Sequence, residues 1–192
     1  MNPNDPPYAH LEPNWQGRGM LRHAQIPDQI YPWLWDRASL TARLKSACRD
    51  AGFSVRLLRQ GWGRPLYSEA RLLEMRRGGR AIVREVQLLC GDTPWVFART
   101  LIPAVSLRGP ARRLAHLGDR PLGEVLFADP RMRRGETQVA RLLPRHPLFA
   151  TATRGLVPRP GEIWGRRTLF YLSSRPLLVN EIFLPGLPRS PR

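Results

Sequence analysis

REVQLLCGDTPWVFARTLIP, residues 84–103, has the composition of two strands folded about a turn. Apolar and β-branched residues fill both arms, and Gly91-Asp92-Thr93-Pro94 supplies the bend between them, which is the pattern of a β-hairpin. Successive side chains point to opposite faces of a strand. Arg84 is therefore expected to share a face with Val86, Leu88 and Cys90, and Arg99 to share one with Trp95, Phe97 and Leu101. A guanidinium on an apolar face is costly unless an anion meets it. Both arginines call for a partner.

Outward from this hairpin the same periodicity recurs. Trp164 to Pro185 forms two alternating arms around Ser173-Ser174-Arg175-Pro176, a second hairpin, with Glu181 on the face of Leu177, Val179 and Phe183. Phe53 to Trp62 reads as a further strand. Helical spacing begins at Ile30, Trp33 and Leu34, with Pro32 in a tolerated first-turn position. Ser39 is a good N-cap for a second helix whose apolar stripe is Leu40, Leu44, Ala47, Cys48 and Ala51, and Gly52 ends it. Gly109-Pro110 opens a helix that Gly118 stops, and Pro121 opens another, LGEVLF. Residues 64–80 read as a link with a short helix near 70–75, MRRGETQVARLLP at 132–144 fits a strand or a helix, and most of the Pro-, Arg- and Thr-rich remainder up to 162 reads as loop. Hairpins together with several short helices predict an α+β domain built on an antiparallel sheet.

With 192 residues and 42% hydrophobic content the chain suits one domain. The predicted division is a flexible Pro-rich arm over 1–19, a single domain over 20–186 and a flexible tail over 187–192. No apolar run is long enough to span a membrane, and MNPNDPPYAH lacks the basic and apolar regions of a signal peptide. Cys48 and Cys90 form no CxxC and suggest no disulfide framework, so a reducing cytoplasm is the expected compartment.

The formal charge is +16, and every basic residue except Lys45 is arginine. Such a balance favours nucleic acid or anionic membrane as a partner. The arginines are scattered, however, without the clustering and interleaved aromatics of a strand-binding groove. A solvated surface accounts for them equally well, and charge alone assigns no function. His10, His23, His116 and His146 lie in isolated contexts without HExxH or metal-ligand spacing. No GxSxG, Walker A or GxGxxG segment is present. The pattern leaves a cofactor-free and metal-free active site, or no active site.

The inward charges admit two readings. Arg84, Arg99 and Glu181 form an internal ion-pair network, or the arginine forks hold a ligand carboxylate while Glu181 hydrogen-bonds or deprotonates the ligand elsewhere. The first amides of two helices, at Leu40 after Ser39 and at Leu122 after Pro121, are further donors for polar oxygens, although ordinary capping explains them as well.

ASLTARL at 38–44, the opening hairpin, GDRPLGEVLF at 118–127, WGRR at 164–167 and PLLVNEIFLP at 176–185 occur together and in this order. In that set the sequence resembles the chorismate lyase (chorismate–pyruvate lyase) family from about residue 22 to 185. The resemblance implies an antiparallel sheet of about six strands with helices packed on it, and a ligand buried under two helical flaps. It implies that Arg84 binds the ring carboxylate, that Glu181 contacts the hydroxyl across the ring, and that Leu40 and Leu122 contribute main-chain amides. Arg99, in a matching ART segment, is expected to hold the enolpyruvyl side. The implied activity is conversion of chorismate to 4-hydroxybenzoate and pyruvate for ubiquinone synthesis, by a cytoplasmic monomer without cofactor or nucleic-acid partner. The basic surface adds an expectation of peripheral proximity to anionic membrane. Two alternatives stay open: a non-catalytic ligand-binding domain of the same fold, beside which a helix-turn-helix would be expected, and a basic nucleic-acid-binding module.

Overall fold

In the computed structural model, residues 11–107 and 109–189 are described. In chain order they form β1 (Gln16–Gly17), α1 (Tyr31–Leu34), α2 (Leu40–Cys48), β2 (Phe53–Gly63), α3 (Tyr67–Leu72), β3 (Ala81–Cys90), β4 (Thr93–Pro103), α4 (Leu122–Phe127), β5 (Met132–Leu142), α5 (Pro147–Ala152), β6 (Ile163–Leu172) and β7 (Arg175–Phe183), with 3-10 turns between them. All strand pairs are antiparallel, in the order β1-β5-β6-β7-β4-β3-β2. The last strand, β7, inserts between β4 and β6 and so ties the two hairpins into one sheet. The α+β architecture expected from the sequence is present, with seven strands in place of about six.

Both faces of the sheet are covered. On one face, α1 and α2 bury Trp33, Leu40 and Leu44 against Val86 and Leu88. Beside them, Leu114, Leu122 and Leu126 pack on Phe170 and Val179. We call this the flap face. On the rear face, α5 sets Leu148 and Phe149 against Phe97 and Ile182, and α3 leads into Leu73, which meets Val83 and Leu101. This double cover explains why β3 is buried at nine consecutive residues rather than alternately. The outer strand β2 carries Arg56, Arg59 and a bulge between Leu57 and Arg59, features that discourage pairing with another chain.

Two expectations are corrected by the structure and two are refined. Residues 11–19 are docked rather than free: Gln16 and Gly17 pair with Val139 and Gln138 of β5, and the Glu12 carboxylate accepts from the amides of Tyr67 and Ser68 at 2.6 and 2.9 Å. The remaining arm, residues 1–10, and the tail from 190 to 192 lie outside the described residues. Residues 143–161 are mostly loop, as expected, but they also hold the short α5, whose Pro147 occupies the first turn, where a missing amide costs nothing. The segment 109–116 is a 3-10 helix. Finally, Cys48 and Cys90 are joined by a disulfide, with Cα atoms 5.5 Å apart. Forty-two residues separate them, and only the packing of the end of α2 over the end of β3 brings them together.

Among the described residues no helix is long and apolar enough to cross a membrane.

Candidate active site

Between the two apolar clusters of the flap face lies a cavity of about 50 Å³, roofed by the starts of α2 and α4. Leu40, Arg84, Leu122 and Glu181 all line it. The sequence places these four residues apart; the sheet and the two helices converge on them.

Arg84 rises from β3 and is 2% exposed. Its Nε donates to the Gly118 carbonyl at 3.2 Å, and Nη2 donates to the carbonyls of Gly118 and Arg120 at 2.9 and 2.8 Å. It therefore holds the loop that starts α4. No carboxylate among the described residues bonds to it, and Nη1 carries no hydrogen bond among them. Burial lowers its pKa, an effect partly offset by the charge of Asp119. An arginine so shifted still carries its charge at neutral pH.

Glu181 projects from β7 on the same face. Its Oε2 accepts from Arg166 Nε at 2.5 Å, and Arg166, 1% exposed, also donates from Nη1 to the carbonyls of Trp33 and Asp36 at 2.9 and 2.6 Å. Arg166 thus fixes the carboxylate and ties it to the segment between α1 and α2. Among the described residues Glu181 Oε1 accepts no hydrogen bond. The strand register aligns Arg84 with Thr100 and Val179, two residues before Glu181. A strand spacing near 4.8 Å and a rise near 3.4 Å then put the Arg84 and Glu181 Cα atoms roughly 12 Å apart. The cation and the carboxylate thus stand on the same face of the sheet at different positions along one cavity.

The roof is tight. A Cβ on Gly123 would lie 3.0 Å from Thr41 Oγ1 and 3.5 Å from Ser39 Oγ, so glycine lets α4 approach α2 closely. Lys45 of α2 pairs with Glu124 of α4 at 2.6 Å across the outside of this contact. Ser39 caps α2 by accepting from the Ala42 amide at 3.4 Å, which leaves the Leu40 amide outside that bond. The cavity volume is about a third of the ~150 Å³ that admits a benzene ring. An aromatic ligand therefore enters only when α2 and α4 move apart.

Arg99 does not join this cavity, which corrects its expected placement. It faces the rear, where Nε and Nη2 donate to Glu69 at 3.0 and 3.2 Å and Nη1 donates to Glu85 at 2.5 Å. The reason is one residue long. The turn at Gly91–Asp92 pairs Cys90 with Thr93, and that register continued unbroken would set Arg84 opposite Arg99. A bulge in β4 between Pro94 and Val96 shifts the pairing, so Arg84 meets Thr100 and Glu85 meets Arg99. A one-residue slip turns every later side chain to the other face.

Arg166 and Arg134 are the site residues that sequence reasoning missed. A signal for Arg166 existed. Ser173 and Ser174, both at positive φ, form the two-residue turn that the second hairpin requires. Pairing Leu172 with Arg175 then carries Arg166 opposite Glu181. Arg134 had no such signal, because β5 fits a strand or a helix equally well in sequence.

A larger and more open groove, about 1200 Å³, lies on the rear face. Its buried arginine, Arg167, donates to Gln138 Oε1 at 2.7 Å and Ser68 Oγ at 2.9 Å, and lies 4.8 Å from the Trp15 ring centre. Burial lowers the Arg167 pKa to about 10. Among the described residues no three His, Cys, Asp or Glu side chains gather as a metal site requires.

The sequence model described as chorismate lyase matches residues 14–189. A protein of Methylococcus capsulatus named "Probable chorismate pyruvate-lyase" is 49% identical over 155 residues, 81% of this chain and 94% of that one. A Thiobacillus denitrificans protein of the same name is 43% identical over 170 residues, 88% and 90% of the two chains. Among solved structures, PhnF from Mycobacterium smegmatis superimposes with a TM-score of 0.54 at 14% identity, covering 82% of this chain and 67% of that one. The ligand-binding domain of a GntR-family transcriptional regulator from Bordetella bronchiseptica gives 0.51 at 20% identity, covering 75% and 93%. These two share the fold.

Proposed function

Because this chain belongs to the chorismate lyase family, we propose that it converts chorismate to 4-hydroxybenzoate and pyruvate, the first committed step of ubiquinone synthesis. The observation that carries the proposal is that Arg84 and Glu181 line one cavity under two helix starts. Chorismate is a dicarboxylate with a ring hydroxyl and an enolpyruvyl ether. Breaking the ether bond to the ring and removing the hydrogen from the hydroxyl-bearing carbon leaves an aromatic ring. The departing enolate takes up the equivalent of the proton lost from the ring and becomes pyruvate, so atoms and charge balance without a redox partner. Aromatisation supplies the driving force, and the reaction calls for no cofactor.

The protein's task on this reading is to orient a dianion and exclude water. Arg84 takes the ring carboxylate through its Nη1 side. Glu181, held through Oε2 by Arg166, offers Oε1 to the hydroxyl across the ring and aligns the carbon that loses hydrogen. The main-chain amides of Leu40 and Leu122 face ligand oxygens from the two flaps. An aromatic product beneath those flaps leaves slowly, so product inhibition is expected.

Purified protein incubated with chorismate and EDTA provides the test, with 4-hydroxybenzoate and pyruvate followed together. Equal appearance of both is expected. Binding of an aromatic carboxylate without turnover would favour a ligand-binding domain instead, a reading supported by the fold shared with the regulator's ligand-binding domain. The proposal includes a cytoplasmic monomer without a nucleic-acid partner, held near anionic membrane by its basic surface. Co-sedimentation with anionic liposomes no better than with neutral ones removes the membrane part.

A further inference from the structure

Arg134 of β5 lines the same cavity as Arg84 and Glu181. Its guanidinium lies 5.6 Å from the Phe127 ring centre and 5.2 Å from that of Phe170, and Nη1 donates to the Arg37 carbonyl just before α2. Its Nε is buried and has no hydrogen-bond partner among the described residues. Nη2 makes no hydrogen bond among the described residues. The Nε–Nη2 edge is the one that grips a carboxylate with two parallel bonds. A buried N–H without an acceptor bears its full desolvation cost, so a side chain held in this way calls for an acceptor from outside.

The charges of the cavity point the same way. Glu181 is matched by Arg166, whereas neither Arg84 nor Arg134 meets a carboxylate among the described residues. Two unmatched cations suit a dianion. Register places Arg134 opposite Phe170 and Leu177, and Arg84 in line with Val179, four strands away. Their Cα atoms are then roughly 20 Å apart along a flat sheet. Both side chains nonetheless reach the one cavity that lies between them. Burial lowers the Arg134 pKa, with the charge of Arg166 adding to this and that of Glu181 opposing it, and an arginine in this range keeps its charge.

We infer that Arg134 binds the second carboxylate of the ligand, the one on the enolpyruvyl arm, and so separates the dianionic substrate from the monoanionic aromatic product. This rests on the lyase reading for the identity of that arm. The two carboxylates then have different anchors. Arg84 serves substrate and product alike, while Arg134 loses its partner once pyruvate departs.

The test compares wild type, Arg134→Met and Arg134→Lys in chorismate turnover and in calorimetric binding of 4-hydroxybenzoate. In Arg134→Met, kcat/KM for chorismate is expected to fall about 10- to 100-fold, mainly through KM, while 4-hydroxybenzoate affinity stays within about threefold. Arg134→Lys recovers part of the loss. Equal losses for both ligands, or none for either, overturn the assignment. If circular dichroism shows Arg134→Met unfolded, the same two-ligand ratio is read from Arg134→Lys. Failure of the wild type to release pyruvate sinks the lyase reading separately. In that case calorimetry with chorismate and 4-hydroxybenzoate still reads Arg134 through the ratio of their affinities.

Discussion

The two faces of the central sheet bury arginines to a similar depth but complete them differently. On the rear face Arg99, 8% exposed, is enclosed by protein carboxylates: two oxygens of Glu69, one of Glu85, and Asn180 donating to Glu69 at 3.0 Å. Burial acts to lower its pKa, but the charges and hydrogen bonds of Glu69 and Glu85 outweigh burial and raise it. On the flap face Arg84 is buried as deeply and donates only to main-chain carbonyls, and burial leaves its pKa lowered. Depth of burial therefore does not separate a structural arginine from a binding one. The charge of the acceptor does: a guanidinium already matched by carboxylates is finished, whereas one bonded only to neutral carbonyls can still gain from an anion.

The contrast fails if the rear network proves dispensable. Glu69→Ala leaves the buried Arg99 short of its main counter-charge and removes the acceptor for the Leu66 amide at the start of α3. A loss of about 3–5 kcal/mol is expected in urea unfolding. Protein that remains folded should keep its KM for chorismate, because Glu69 lies on the face away from the cavity.

Arg84→Ala should show the reverse pattern. We expect kcat/KM for chorismate to fall about 100-fold and 4-hydroxybenzoate affinity to fall with it, as one charged anchor is lost from both complexes. Its unfolding midpoint should move less than that of Glu69→Ala. A variant that is badly destabilised yet kinetically normal would reassign Arg84 to the structural class.

For Glu181→Gln the expected loss is about tenfold in kcat with little change in KM, read by steady-state turnover, since an aligning hydrogen bond is weakened while both carboxylate anchors remain. The smallest effect is expected at the outer link between the flaps. Lys45 and Glu124 are about half exposed, so their ion pair contributes at most about 1 kcal/mol. Glu124→Gln should therefore speed product release and raise the product inhibition constant by no more than about fivefold. High salt should reduce the difference between the variant and wild type.

Much of this architecture is legible in the chain. Alternation reveals both hairpins, Ser39 and Pro121 mark the starts of the two flap helices, and a charge amid apolar neighbours singles out Arg84 and Glu181. What resists reading is of another kind. α5 sits among prolines and is stabilised by burying Leu148 and Phe149, so local propensity understates it. β1 is two residues long and exists only because β5 offers an edge to pair with. The Cys48–Cys90 link depends on where α2 comes to rest.

The amino-acid sequence by itself determined which residues are too polar for their neighbourhood: the period of a strand and the position of a cap are local properties, readable within a few residues. Only the tertiary structure decided who meets whom. The bulge in β4 turns Arg99 to the rear, where Glu69 and Glu85 close around it. The register of β6 on β7 assigns Glu181 to Arg166, and the path of β5 brings Arg134 to the cavity. The physical reason is that a pairing shift of one residue exchanges the faces of a whole strand while leaving its composition untouched.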